Sequence, residues 1–209
     1  MVADTYPIKR VVFDLGGVLV NWKPRDVVAE MFDSTDLRDT VMRSVFEHQD
    51  WLEIDRGTLN EAEAITRFAA RTRISKHLIH ELMDRVRSSL TLIPEMAALV
   101  RKLVEYDFPV YVLSNMSDST FSFLSERYKI WAAFSGIVIS GRIGKVKPEA
   151  QIYKHLVSEY GLNEAECLFI DDTAANIAAA DRLRFQTILF RQHKDCADEL
   201  LARLDIQGP

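Results

Sequence analysis

VVFDLGGVLV, residues 11–20, is the stretch of this chain that decides its fold. An apolar run leads into a single carboxylate, Asp14, which is followed by a pair of glycines. A run without polar alternation predicts a strand buried on both faces, as the strands of parallel sheets are. An acid that ends a buried apolar strand seldom lacks a chemical role, so Asp14 is the first candidate functional residue.

Further apolar runs of this kind occur along the chain, and helix-length segments separate the later ones. The predicted strands lie at residues 10–14, 110–115, 136–140, 167–171 and 185–190. The predicted helices between them lie at residues 94–106, 118–128, 148–160 and 173–183. Strands that alternate with helices predict an α/β fold, a doubly wound parallel sheet covered by helices.

The segment between the first and second strands breaks this alternation. It holds about ninety residues of helical pattern and no convincing strand, whereas a crossover between parallel strands needs only about a dozen. We therefore predict a helical cap subdomain at residues 22–92, called the cap below, and an α/β core domain at residues 1–21 and 93–209. Because the insertion follows the carboxyl end of the first strand, we expect it to form a lid over the ligand-binding edge of the sheet.

The composition limits the partners of the protein. Apolar residues make up 48% of the 209 residues, and the net charge of −5 offers no basic field for nucleic acid or an anionic membrane. The first ten residues lack an apolar signal segment, and no later stretch reaches the ~18 apolar residues of a membrane span. With only Cys167 and Cys196, the chain is predicted to be a cytoplasmic protein with reduced thiols. Its oligomeric state stays open.

Polar residues follow the predicted strands near the points where the strands end. They are Asp14, Ser114, Asn115, Lys147, Asp171 and Asp172. Because the carboxyl ends of parallel strands share one edge, we expect these residues to converge on one crevice. Carboxylates suit a hard Mg²⁺ ion, and a hydroxyl and an ammonium suit phosphate oxygens. Pro148 suits the first turn of a helix, which is expected to place the Lys147 ammonium at the edge of the crevice.

Together these motifs resemble those of the haloacid dehalogenase (HAD) superfamily, in the branch with a helical cap after the first strand. FDLGGVL is similar to the family's first motif, LSN to its second, the Lys147-Pro148-Glu149 step to its third and FIDDTAAN to its fourth. The likeness covers nearly the whole chain. It implies a phosphatase in which Asp14 attacks phosphorus to form an aspartyl-phosphate that water then hydrolyses.

The same resemblance implies the roles of the site residues. Asp14, Asp172 and the carbonyl of Gly16 hold Mg²⁺, and Asp171 supports them or coordinates through water. Lys147 and Ser114 hold the transferring group, and Asn115 contacts substrate or phosphate. The role of Asn176 stays open between a partner of a metal ligand and a plain helix residue. The implied substrate is a small phosphorylated metabolite.

Gly16 departs from the family pattern, because most phosphatases of the family carry an acid two residues after the nucleophile. That acid protonates the leaving oxygen, and help of this kind is typically worth ~10²–10⁴ in rate. Esters with a good leaving group suffer least from the loss of this acid, and the hemiacetal oxygen of an anomeric sugar phosphate is such a group. A small sugar phosphate, of which the anomeric ones are one kind, is therefore the preferred substrate, as implied by the glucose-1-phosphate phosphatase-like branch that this chain resembles. The alternatives are a dehalogenase and a non-catalytic module that binds a phosphorylated ligand.

The cap segment WLEIDRGTLN is the candidate reader of the leaving group. Glu53, Asp55 and Arg56 could bind sugar hydroxyls, and Trp51 or Trp22 could stack on a ring. The same residues equally suit the core and the solvated face of a cap helix, so their roles stay open. Gly57 is predicted to end that helix.

Overall fold

The computed structural model of the protein describes residues 6–206. The predicted strands form one five-stranded sheet in the order β3-β2-β1-β4-β5, and every pairing in it is parallel. The strands are β1 Arg10–Phe13, β2 Val110–Ser114, β3 Gly136–Ile139, β4 Cys167–Asp171 and β5 Gln186–Leu189. The prediction of a doubly wound α/β fold is confirmed.

Helices fill much of the chain between and after these strands. In chain order they are α1 Pro24–Met31, α2 Thr35–Val41, α3 Gln49–Arg56, α4 Glu61–Thr72, α5 Lys76–Ser89, α6 Pro94–Glu105, α7 Asp118–Arg127, α8 Ser140–Ile143, α9 Ala150–Tyr160, α10 Ala174–Arg182 and α11 His193–Arg203. Within the part of the chain that the structure describes, none of the helices is both long and apolar enough to cross a membrane.

Both faces of the sheet are covered, which explains why its strands read as unbroken apolar runs. On one face, Val11 and Phe13 pack in a cluster with residues of α6, α7 and α11. On the other face, Val12 packs in a cluster with residues of α9 and α10. Successive residues of a strand point to opposite faces, so β1 contributes to both clusters and is buried throughout its apolar part.

The segment between β1 and α6 folds into helices α1–α5, which bury a third apolar cluster of their own. Asn60 and Ser75 begin α4 and α5 by accepting hydrogen bonds from backbone N–H groups in the first turns, as helix caps do. Gly57 ends α3 with a φ of +83°, as predicted. The domain boundaries at 22 and 92 stay a prediction.

The chain leaves and re-enters the sheet through two adjacent segments. Val20 and Leu92 form an antiparallel bridge, and Ile93 donates its N–H to the carbonyl of Leu19 at 2.9 Å. Two short connections held side by side place α1–α5 directly over the carboxyl end of β1.

One local prediction is wrong. Pro148 does not lie in the first turn of a helix, because residues 146–149 form a turn closed by the Glu149 N–H to the Val146 carbonyl, and α9 begins only at Ala150. In the cap, a π-helical turn, Met42–Phe46, lies between α2 and α3. His48 then caps α3 by accepting from the Asp50 N–H.

Candidate active site

The register of the sheet places Asp14 beside Asp171. Phe13 pairs with Ile170 in the β1–β4 ladder, and the Asp14 N–H continues that ladder to the Ile170 carbonyl at 2.9 Å. The side chains of Asp14, Asp171 and Asp172 each offer a carboxylate oxygen, and these oxygens lie within 4.8 Å of one another. The convergence predicted from the strand ends therefore occurs for the acidic residues.

Lys147 lies between two of these carboxylates. Its Nζ contacts Asp14 Oδ1 at 2.8 Å and Asp171 Oδ2 at 2.7 Å, and the residue is only 2% exposed. Burial disfavours the charged lysine, but the two carboxylates outweigh it and raise the pKa of Lys147 above its usual value. The expected position at the crevice edge is wrong, because a buried lysine needs carboxylate partners and finds them inside the site.

Around Asp14, negative charge exceeds positive charge. Burial raises its pKa well above the usual range, Lys147 lowers it, and the carboxylates of Asp171 and Asp172 raise it again. Three acids crowded around one ammonium group repel each other unless a further cation neutralises them. The cluster is therefore an electrostatic site for a cation.

Asp171 and Asp172 differ in what they contact, although they are neighbours in the chain. Asp171 is fully buried and accepts from Lys147 Nζ, from the Thr173 N–H at 2.8 Å and from Asn176 Nδ2 at 3.0 Å. Asp172 is partly exposed and lines the pocket. Asn176, left open by the sequence, thus supports Asp171, and Asp172 has the more accessible carboxylate.

Gly17 is a residue that the sequence analysis did not single out. Its φ is +79°, and a Cβ placed on it would lie 2.3 Å from Asp172 Oδ2. The second glycine of the pair therefore allows both the tight turn after β1 and the position of the Asp172 carboxylate above the backbone. The doubled glycine after an acid was the signal that could have revealed it.

Ser114 and Asn115 follow β2 but make different contacts. Ser114 is fully buried, and its Oγ has no hydrogen-bond partner among residues 6–206. Asn115 accepts from the Lys147 N–H at 2.7 Å and donates to the Lys147 carbonyl at 2.9 Å. Asn115 thus holds the backbone of Lys147 in addition to lining the pocket, while Ser114 retains a free donor.

A pocket of about 250 Å³ opens beside these groups. Core residues that line it include Asp14, Gly16, Asn115, Met116, Thr120, Lys147, Asp172, Thr173 and Asn176. Cap residues that line it are Trp22, Phe46, Trp51, Asp55, Met83, Val86, Arg87 and Leu90. The pocket is therefore polar where it meets the sheet and mainly apolar where it meets the cap.

Aromatic rings form much of the wall on the cap side. Trp51 lies 5.5 Å from Trp22 and 4.8 Å from Phe46, measured between ring centroids. All three side chains are partly buried and pack against the apolar cluster of the cap. Trp51 therefore packs in the cap and also lines the pocket, and its stacking on a sugar ring stays a prediction.

A parallel sheet with buried carboxylates and a lysine at its carboxyl edge, below a helical insertion, defines a class of hydrolases. The family model described as haloacid dehalogenase-like hydrolase matches residues 8–183. The chain therefore belongs to the haloacid dehalogenase-like hydrolase family, and the predictions of the superfamily and of an enzyme are confirmed.

Known proteins similar to this chain include two phosphatases. The sesquiterpene phosphatase astK of Aspergillus oryzae is 27% identical over 172 residues, which cover 82% of this chain and 84% of that protein. The D-ribitol-5-phosphate phosphatase of Bacteroides thetaiotaomicron is 27% identical over 213 residues, which cover 95% of this chain and 99% of that protein.

The fold also matches solved structures. A HAD family enzyme from Bacteroides thetaiotaomicron superposes with a TM-score of 0.75 at 24% identity, covering 93% of this chain and 99% of that chain. The wild-type form of that enzyme has been crystallised with magnesium and inorganic phosphate, and this complex superposes with a TM-score of 0.66 at 22% identity, covering 88% of this chain and 94% of that chain.

Proposed function

We propose that the protein is a magnesium-dependent phosphomonoester hydrolase in which Asp14 forms an aspartyl-phosphate. The observation that carries this proposal is the group of carboxylates on Asp14, Asp171 and Asp172, whose oxygens lie within 4.8 Å around one buried lysine. The names of the two phosphatase relatives and the magnesium and phosphate bound to the HAD family enzyme support it.

The donor set fits a magnesium ion, because Mg²⁺ prefers oxygen ligands and the crowded carboxylates need a further positive charge. Asp14 and Asp172 would hold the ion together with the backbone carbonyl of Gly16. Asp171 is engaged by Lys147, Thr173 and Asn176 and therefore supports the site from behind. When bound, Mg²⁺ neutralises charge on the phosphoryl oxygens.

The side chains divide the remaining work. Lys147 and the Leu15 N–H both contact Asp14 Oδ1, so Oδ2 is the oxygen that we assign to the attack on phosphorus. The free Ser114 hydroxyl donates to an oxygen of the transferring group. Lys147 lowers the pKa of Asp14 and orients its carboxylate, and water then hydrolyses the aspartyl-phosphate.

The two alternatives explain less of the site. A dehalogenase attacks carbon and needs no metal, yet Asp171 and Asp172 complete a group of carboxylates suited to a cation. A non-catalytic binding module needs no nucleophile, yet Asp14 lies at the centre of that group and lines the pocket. A dehalogenase therefore leaves the acidic pair Asp171 and Asp172 unexplained, and a binding module leaves the position of Asp14 unexplained.

The sequence predicts a small sugar phosphate as substrate, and a sugar ring could stack on the face of a tryptophan. The pocket walls favour a second class, a phosphomonoester with an apolar organic group, because six of the eight lining residues from the cap are apolar: Trp22, Phe46, Trp51, Met83, Val86 and Leu90. Burying apolar surface contributes about 25 cal/mol per Å², whereas buried sugar hydroxyls need polar partners.

Both the phosphatase reaction and the substrate class can be tested by measuring phosphate release, in the presence of Mg²⁺, from a panel of sugar phosphates and of alkyl and aryl phosphates. We expect turnover that Asp14→Asn abolishes. We also expect kcat/KM to be greater for the alkyl and aryl phosphates than for the sugar phosphates. Release of chloride from 2-chloropropionate without added metal, with no turnover of any phosphate ester, would instead establish a dehalogenase.

A variant pair separates the two substrate classes. Phe46→Ala removes part of the apolar wall and is expected to lower kcat/KM for apolar esters by roughly 10–100-fold, since a buried phenyl group is worth about 1.5–3 kcal/mol. Tyr106→Ala, which changes an exposed aromatic residue of the core domain, is the control. If Phe46→Ala leaves kcat/KM for apolar esters unchanged, and the wild-type protein turns over sugar phosphates efficiently, the sugar phosphate is restored as the substrate class.

A further inference from the structure

The position two residues after Asp14 is a glycine for reasons other than space. A Cβ placed on Gly16 would meet only Trp22 Cβ at 3.7 Å and Trp22 Cγ at 3.9 Å, which are ordinary contacts. The φ of Gly16 also lies outside the left-handed region, in contrast to that of Gly17. An acid would therefore fit at position 16. Because none is present there, a group elsewhere in the pocket would have to do its work.

Asp55 at the end of α3 is a cap acid that reaches the same pocket. It lines the pocket together with Asp14, Gly16 and Lys147. The other polar residue that the described part of the cap contributes to the lining is Arg87, which is paired with Glu61 and Asp84. Asp55 thus contributes a carboxyl group to a wall that is otherwise mainly apolar.

The core holds Asp55 in this position through a hydrogen bond to the backbone of Asp55. Ser140 Oγ, at the start of α8, donates to the Asp55 carbonyl at 2.5 Å. The same Ser140 Oγ accepts from the Met116 N–H at 2.8 Å, so the contact is continuous with the loop that follows β2. A general acid must keep a fixed distance to the leaving oxygen, and this hydrogen bond fixes the backbone that carries the carboxyl group.

Contacts of the two residues that follow Asp55 reinforce this docking. Arg56 forms a two-pronged ion pair with Glu149, with N–O distances of 3.0 and 2.7 Å. Gly57 lies so close to Gly141 that an added Cβ would be 2.7 Å from the Gly141 carbonyl oxygen. The end of α3 is therefore bound to the core at Asp55 and at the two residues that follow it.

The surroundings of the Asp55 carboxyl favour its protonated form. Its pKa is raised to about 7, because burial and the charge of Asp14 together outweigh the Ser117 and Trp51 donors and the charge of Lys147, which lower it. Asp55 does not belong to the group of carboxylates that suits a metal ion, which consists of Asp14, Asp171 and Asp172. Its carboxyl group can therefore exchange a proton without acting as a metal ligand.

Resting on the function proposed above, we propose that Asp55 is the general acid and base that replaces the missing acid at Gly16. In the first step Asp14 Oδ2 bonds to phosphorus, the bond from phosphorus to the leaving oxygen breaks, and the Asp55 carboxylic acid gives its proton to that oxygen. In the second step the Asp55 carboxylate takes a proton from water as the water oxygen bonds to phosphorus and the Asp14–phosphorus bond breaks. Both residues return to their starting states.

The test compares two esters of similar size whose leaving groups differ in acidity. 4-Nitrophenyl phosphate releases an acidic phenol and needs little protonation, whereas phenethyl phosphate releases an alcohol and needs much. Asp55→Asn is expected to lower kcat/KM for phenethyl phosphate by about 10²–10⁴, and for 4-nitrophenyl phosphate by less than about 10-fold. Adding Gly16→Asp to Asp55→Asn is expected to recover the activity on phenethyl phosphate.

The control variant is Asp39→Asn, which makes the same chemical change at an exposed position of the cap and is expected to leave both activities unchanged. Equal losses on both esters in Asp55→Asn, with a wild-type melting temperature, would overturn the assignment of Asp55 and leave the phosphatase proposal intact. If the wild-type protein turns over neither ester in an Asp14-dependent way, the phosphatase proposal fails, and the role of Asp55 fails with it.

Discussion

Gly17→Ala tests whether the backbone after β1 makes room for a metal ligand. The matched control is Gly144→Ala, because Gly144 has a φ of +69°, close to the +79° of Gly17, but no atom lies within 4 Å of an added Cβ. A left-handed conformation costs a residue with a side chain about 1–2 kcal/mol. For a chain of this size each kcal/mol lowers the melting temperature by roughly 2–4 °C, so both variants should lose similar stability from this source.

The two variants should differ in activity. In Gly17→Ala the new Cβ would meet Asp172 Oδ2 at 2.3 Å, whereas ordinary contact begins at 3.4 Å, so the carboxylate must move by about 1 Å. Misplacement of a catalytic group by that distance costs roughly 100-fold in rate. We expect Gly17→Ala to lose about 100-fold in kcat/KM and Gly144→Ala to keep wild-type activity.

A second assay measures the metal site without turnover. Mg²⁺ at about 100 times its Kd should stabilise the wild-type protein and Gly144→Ala by about 2.7 kcal/mol, seen as a higher melting temperature. Gly17→Ala should show a smaller increase. Equal activity and equal stabilisation by Mg²⁺ in both glycine variants would refute the idea that Gly17 positions Asp172.

Three further variants test the buried polar groups. Ser114→Ala should not lower the melting temperature, because the Ser114 Oγ has no partner within residues 6–206, but it should weaken product inhibition by phosphate. Lys147→Met should cost about 3–5 kcal/mol in urea unfolding without Mg²⁺, because it leaves the carboxylates of Asp14 and Asp171 buried without their cation; a loss below about 1 kcal/mol would contradict this. Asn115→Ala removes both hydrogen bonds to the Lys147 backbone and should cost about 1–3 kcal/mol, with a fall in kcat; an unchanged kcat would show that Lys147 keeps its position without them.

The names of the two phosphatase relatives point to different organic groups, a sesquiterpene in one and ribitol in the other. This contrast fits a fold in which the sheet edge and the cap do separate work. The sheet edge provides the carboxylates and Lys147, while the cap supplies most of the apolar lining of the pocket beside them. A change of these apolar cap residues can therefore alter what the pocket accepts without changing the polar residues at the sheet edge.

Much of the fold could be predicted because it depends on local pattern. β1 and β4 are unbroken apolar runs, and each is predicted to within one residue of its observed end. Gly57 could be identified as a helix end because a left-handed residue there favours glycine. The helix start predicted at Pro148 failed because it depends on a turn hydrogen bond, from the Glu149 N–H to the Val146 carbonyl, that the periodicity of the sequence does not encode.

The sequence by itself determined that acids end the first and fourth strands and therefore meet, since parallel strands bring their carboxyl ends to one edge. Tertiary structure decided which partners these acids take: Lys147 buried between Asp14 and Asp171, and Asp55 brought to the same pocket from a cap helix. The reason is physical, because the position of a strand end follows from the local chain, whereas burial and charge pairing depend on distant segments whose packing no local pattern specifies.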